Sequence, residues 1–182
     1  MKIRTAPVLA GMLTSLLVVA ISYGIVSAES TSITDAQLNR IKTNCVSAKN
    51  TLNQIHASDA LLRVNRGQLY ESMTTKLMSR FNNRVDSNHY DAKNLISVTQ
   101  NYGTALTNFR NDYQSYEEQL SNALSIDCTK EPVSFYDSVA SSRVKRTQVH
   151  VDVTILHQYI NDYESAYKDF AAIFFQAHGV NN

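Results

Sequence analysis

Along most of this chain, apolar and small residues return every three or four positions, the spacing that lays them on one face of a helix. The first such stretch opens on a start signal, Ile33-Thr34-Asp35-Ala36-Gln37-Leu38. Thr34 can cap the first turn, Gln37 can reach back to it, and Ile33 with Leu38 can close a hydrophobic staple. The stripe runs through Leu38, Ile41, Cys45, Ala48, Leu52 and Ile55, then less regularly through Leu62, Leu69, Met73, Leu77 and Phe81. It fails over residues 82–89, rich in Asn, Asp and Ser, which favour turns and caps. A second stripe occupies Leu95, Val98, Tyr102, Leu106, Phe109, Tyr113, Tyr116, Leu120 and Ala123. After a connection ending in Pro132, a residue suited to the first turn of a helix, a third carries Val133, Tyr136, Val139, Val144, Val151, Ile155, Tyr159, Ala166, Phe170, Ile173 and Ala177. Gly179 is placed to end it in a left-handed conformation.

These stripes predict three long helices, at about 35–83, 91–126 and 133–177. Short connections make consecutive helices antiparallel. The fold class is therefore all-α: an elongated, coiled-coil-like antiparallel three-helix bundle, roughly 55–70 Å long at 1.5 Å per residue.

Before the first stripe, residues 7–28 carry no charge, Lys2 and Arg4 precede them, and Glu29 is the first acid. A basic flank ahead of an apolar run directs the downstream chain across a membrane. The run is long enough to span a bilayer core of roughly 30 Å. Its strongly apolar part nevertheless stops near Ile21, and Val26-Ser27-Ala28 suits cleavage before Glu29. Residues 1–28 thus read as a signal peptide or an N-terminal membrane anchor, and residues 29–182 as an extracytoplasmic helical bundle, secreted or tethered.

The two cysteines sharpen that reading. Cys45 and Cys128 are centred between Asp86 and Ser87, inside the turn that the failing stripe marks independently. On the two arms of a hairpin they stand level, and facing positions on adjacent helices can bring their Cα atoms within the roughly 7 Å a disulfide needs. An exported compartment lets the bond form. A redox couple usually spaces its cysteines two apart, and a zinc thiolate site needs more ligands than this pair supplies. The pair reads as a structural staple.

Composition narrows the function by exclusion. Removing residues 1–28 takes out Lys2 and Arg4 and moves the formal charge from +1 to −1, which leaves no electrostatic case for nucleic acid. None of the asparagines lies in an Asn-x-Ser/Thr pattern, in keeping with a bacterial envelope rather than a eukaryotic secretory route. No nucleophile elbow, zincin motif, phosphate loop or dinucleotide fingerprint occurs. The histidines are His56, His89, His150, His157 and His178, and no two are three or four apart. No catalytic residue, metal ligand or cofactor is assigned. Asp112, Glu117 and Glu118 are expected to pair across the bundle with Arg143, Lys145 and Arg146.

Aromatic residues crowd the end of the third helix. Tyr163, Tyr167 and Phe174 form a second stripe beside the core one, with Phe175 further round, and these four are the candidate partner surface. In general plan the chain resembles small exported helical-bundle proteins of bacterial envelopes; the resemblance is architectural and transfers no active residue. The expected function is a non-enzymatic binding or scaffolding protein of a bacterial cell envelope, meeting a protein partner in that envelope or on another cell surface. Residues 7–28 would hold it in the membrane if uncleaved. The alternatives are a ligand- or metal-binding bundle, enzymatic or not, with a site between helices at His56, His150 or His157, and a homo-oligomer joined through the second aromatic stripe.

Overall fold

A computed structural model of the chain describes residues 33–179. The chain divides into two units, Met1–Ser32 and Ile33–Asn182, and the predicted leader, residues 1–28, lies outside the described residues. Among those described, every element is helical: α1 (Asp35–Thr43), α2 (Cys45–Ser72), a π-helical turn (Met73–Met78), α3 (Ser79–Ser87), α4 (Lys93–Ser125) and α5 (Pro132–Ala177). No described helix is long and apolar enough to cross a membrane.

The ends form as their residues dictate. Thr34 and Gln37 make the capping box: Thr34 Oγ1 accepts from the Gln37 N–H at 3.3 Å, and Gln37 Oε1 accepts from the Thr34 N–H at 2.8 Å. Pro132 opens α5, and Gly179, at φ 68°, stands just past its last turn. Asp127 holds the α4–α5 connection, accepting from the Thr129 N–H at 3.0 Å and the Thr129 hydroxyl at 2.6 Å.

Helix α4 is the common floor. Leu95, Tyr102, Leu106, Phe109, Tyr113, Tyr116, Leu120 and Ala123 are all buried, so its stripe is the predicted one with only Val98 half-exposed. α5 packs along α4 over most of its length, and α2 lies on α4 as well. Cross-links from the first arm (α1 to α3) to α4 and the connection that follows it join Cys45 to Cys128, Asp59 to Tyr116, Tyr70 to Tyr102 and Asn82 to Leu95. Each pair is centred close to Ser87, the register of a hairpin. Cys45 and Cys128 form a disulfide with Cα atoms 5.6 Å apart, both side chains buried beside Phe135.

Three expectations are corrected. The first helix does not end at residue 83: α3 runs to Ser87, because Asn82 is turned inward and its amide donates to the Leu95 carbonyl at 3.2 Å and the Thr99 hydroxyl at 2.8 Å. A polar residue whose donors are satisfied does not stop a helix. Nor is the first arm one uninterrupted helix in phase. The π turn adds a residue, so the buried positions step from Tyr70 to Met78 and Leu77 stays exposed; upstream, in α2, Asp59 and Tyr70 are buried and Leu62 and Leu69 are exposed. On α5 the predicted stripe holds at Ala166, which is buried, and at Val139 and Tyr159, which pack against the core, but elsewhere it is about one residue out: Phe135, Ser142, Asp152 and Leu156 are buried, while Val133, Tyr136, Val144, Val151, Ile155 and Ile173 are exposed. Polar Ser142 and Asp152 occupy inward positions, and Val144, Val151 and Ile155 lie outside.

Asp152 has a measurable consequence. It is buried, Gln148 donates to its Oδ1 at 3.1 Å, and its Oδ2 has no partner. Burial above all, helped by the Asp112 carboxyl and only partly offset by Gln148, pushes its pKa up. Below the ordinary Asp value near 3.9 the folded and unfolded chains both hold the proton and no penalty arises. As pH rises through the raised folded pKa, stability is lost. Asp152→Asn is expected to stabilise by about 1 kcal/mol at about pH 7.5 and by nothing near pH 3.5. Urea unfolding at the two pH values checks this, and an equal effect at both contradicts it.

Candidate binding seam between the first arm and α5

In a closed three-helix bundle each helix packs on the other two. Here both the first arm and α5 rest on α4, and they meet each other at intervals: through the disulfide cluster at Phe135, through Tyr70 and Met78 against Leu156, through Phe81 against Tyr167 and Phe170, and through three polar struts. Asp59 on α2 receives Arg146 of α5, Nε at 2.8 Å and Nη2 at 3.1 Å. Further along, Tyr70 Oη lies 3.2 Å from His157 Nε2. Beyond the π turn, the Tyr163 hydroxyl donates to Asn82 Oδ1 at 2.7 Å.

Three open clefts lie in series between these struts. The first, of about 440 Å³, has Ile41, Leu52, Ile55 and Phe135 in its walls and Arg143 and Arg146 at one end. The second, of about 450 Å³, shares Tyr116, Arg143 and Arg146 with the first and adds Arg63, Arg66 and His150 around a floor of Phe109 and Tyr113. The third, of about 330 Å³, is lined by Met73, Leu77, Phe81, Ile160 and Tyr167 among others. Clefts of this size, mostly apolar with a few placed polar groups, are the ordinary form of a binding site.

The electrostatics of the middle cleft arise from its neighbours. Burial raises the Asp59 pKa, but the Arg146 guanidinium and the Tyr116 hydroxyl outweigh it and hold the carboxyl below its ordinary value. Arg63 lies 3.3 Å from Glu117 and 5.0 Å over the Tyr113 ring. Tyr113 is buried, its hydroxyl has no partner, and burial with Glu117 and Asp59 nearby pushes its pKa up to about 12. Among the described residues, neither Arg66 nor Arg143 has a carboxylate within 4.0 Å.

The expected ion pairing across α4 and α5 is thus corrected. Glu117 pairs with Arg63 on α2, Arg146 with Asp59 on α2, and Lys145 donates to the Ser115 hydroxyl at 2.6 Å. The α5 phase turns Arg143 and Arg146 toward the first arm.

The predicted partner residues part company. Tyr163 faces inward, its phenol pushed up to about 12 by burial. Phe174 stacks on His178 at 4.3 Å and meets Tyr90 edge-on at 5.2 Å, closing the hairpin turn against the end of α5. Tyr167, 5.2 Å from Phe81, is exposed at the third cleft, and Phe175 is exposed. Of the histidines, His56 lies 3.9 Å from Glu117, His150 rims the middle cleft, and His157 meets Tyr70. They do not converge, and among the described residues no group of three or more His, Cys, Asp or Glu is placed to hold a metal. Arg66 and Arg143, the cations of the seam left without an acid among the described residues, had only a weak sequence signal, two charges that find no acid at helical spacing. Comparison with protein-family models, curated proteins and solved structures finds no match to this chain.

Proposed function

We propose that this chain is a non-enzymatic binding or scaffolding protein of a bacterial cell envelope, an elongated antiparallel three-helix rod, exported or tethered by its N-terminus. It acts through protein–protein contacts. The observation that carries the reading is the seam: open clefts with apolar walls, the middle one ringed by arginines, run in line between the first arm and α5. Contiguous apolar surface of this kind marks an interaction site. The disulfide agrees with an oxidising compartment, and the apolar run of residues 7–28 with export.

Position-resolved photo-crosslinking tests the reading. A photoreactive residue in place of Leu62 or Tyr136, both exposed at the clefts, is expected to trap one discrete envelope protein in cells of the source organism. The same probe at Asn108, exposed on α4, is expected to trap none. Equal labelling from all three positions, or no product from any, defeats the proposal.

A second reading, a small ligand held in the middle cleft, is favoured by the unpartnered Tyr113 hydroxyl at its floor.

A further inference from the structure

We infer that the occupant of the seam is an amphipathic helix of the partner, apolar toward its ends and acidic in its middle. This rests on the proposed function and names the chemistry of the partner.

The seam has three segments in a fixed order. Ile41, Leu52, Ile55 and Phe135 make the first apolar up to Arg143 and Arg146, which it shares with the second. Arg63, Arg66, Arg143 and Arg146 surround the second. Met73, Leu77, Phe81 and Ile160 make the third apolar again. Two of the four guanidiniums are engaged by Asp59 and Glu117, and among the described residues the other two are not. Apolar, basic, apolar calls for apolar, acidic, apolar. Electrostatic complementarity of this order sets register and excludes wrong partners, while the apolar ends supply the burial.

Its length favours a helix. From Ile41 to Phe81 the first arm extends on the order of 60 Å at 1.5 Å per residue, and a helix laid in a groove between two others is a recurrent recognition mode. A second copy of this chain fits less well. A two-fold pairing that covers the middle cleft sets Arg66 and Arg143 of both copies against one another, a like-charge juxtaposition. A single-tailed amphiphile fills one cleft and leaves the other two open. The Asp59–Arg146 strut does not block a helix lying over it, because the Arg146 side chain remains 57% exposed.

The test uses the full chain and a labelled synthetic helix of about 40 residues, leucine-striped in its outer heptads with glutamates in the middle, beside a twin carrying lysines instead. Fluorescence anisotropy is expected to give at least about tenfold tighter binding of the acidic peptide, weakening as salt rises from about 0.05 to 0.3 M. The double variant Arg66→Glu/Arg143→Glu is expected to abolish that preference. Both side chains are exposed, and Arg66→Gln/Arg143→Gln serves should the charge reversal disturb the circular dichroism. Equal binding of the two peptides, binding of neither, or a preference that survives the double variant overturns the inference. So does saturation by laurate with the same arginine dependence when the acidic peptide fails. A photo-crosslinked partner still trapped from Leu62 in the double variant sinks this inference and leaves the proposed function standing; loss of all trapping in the wild-type chain sinks both.

Discussion

Replacing Cys45 and Cys128 by alanine is expected to cost up to about 4 kcal/mol of unfolding free energy, the loop-closure value for cysteines 83 positions apart. At this chain length that corresponds to roughly 10 °C in Tm. The loss should not be uniform. Helix α1 has no buried residue of its own. The α1 end of the first arm is held through the disulfide cluster, where Ile41, Ala48 and Leu52 pack around Cys45, Cys128 and Phe135. The next cross-link along the arm is Asp59. Without the sulfur bridge, residues 35–58 should open below the global transition, while α4 and α5, packed on each other along most of their length, keep their protection. Hydrogen exchange with and without reductant reads this directly. An unchanged Tm together with unchanged protection over residues 35–58 would show that the bond carries no stability.

How much of this could be read from the residues alone depends on how regular each helix is. The α4 stripe was legible because Leu95, Tyr102, Phe109, Tyr116 and Ala123 repeat every seven, with Leu106, Tyr113 and Leu120 between them, and every inward position is apolar or aromatic. The disulfide was legible because its midpoint and the turn are independent signals of one hairpin. The first arm was harder. Seven residues beyond Tyr70 lies Leu77, a good core residue, yet the π turn carries the inward phase to Met78. Nothing local marks that extra residue; it comes from the need to reach both Tyr102 near Tyr70 and Leu95 near Asn82. On α5 the pattern misleads for another reason. Ser142 and Asp152 face inward and Val144, Val151 and Ile155 outward, so hydropathy points about one residue away from the true face. The seam is a product of the same inversion. Apolar side chains that a closed bundle would bury are left along its rims, and the guanidiniums that would be solvated on a closed bundle are gathered at its centre.

Asp59 is where fold and seam meet, and its loss is expected to be the costliest single polar change. Its side chain is 12% exposed, and the carboxylate accepts three hydrogen bonds: Tyr116 Oη at 2.7 Å, Arg146 Nε at 2.8 Å and Arg146 Nη2 at 3.1 Å. Asp59→Ala leaves the Tyr116 hydroxyl, on a residue 3% exposed, without its acceptor. Arg146 suffers less, because its half-exposed guanidinium can return to water. Hydrogen bonds to a charged acceptor are worth about 1.5–3 kcal/mol each, and an orphaned buried hydroxyl about 1–3. The expected loss is about 3 kcal/mol, less than these figures summed, because alanine also removes a desolvated charge. Tyr116→Phe, which removes one bond and its donor together, should cost only about 1 kcal/mol. The pH dependence carries the sign. The folded pKa of Asp59 lies below its ordinary value, so its contribution is complete above about pH 4 and disappears as pH falls through the folded pKa. Wild type and Asp59→Ala should therefore differ most near neutrality and draw together in acid. A double-mutant cycle with Arg146→Ala, followed by urea unfolding at both ends of that range, isolates the strut. A coupling energy near zero at neutral pH would mean that α2 is held on α4 by Tyr116 and its apolar neighbours alone, and that the seam stays open without a salt bridge across it.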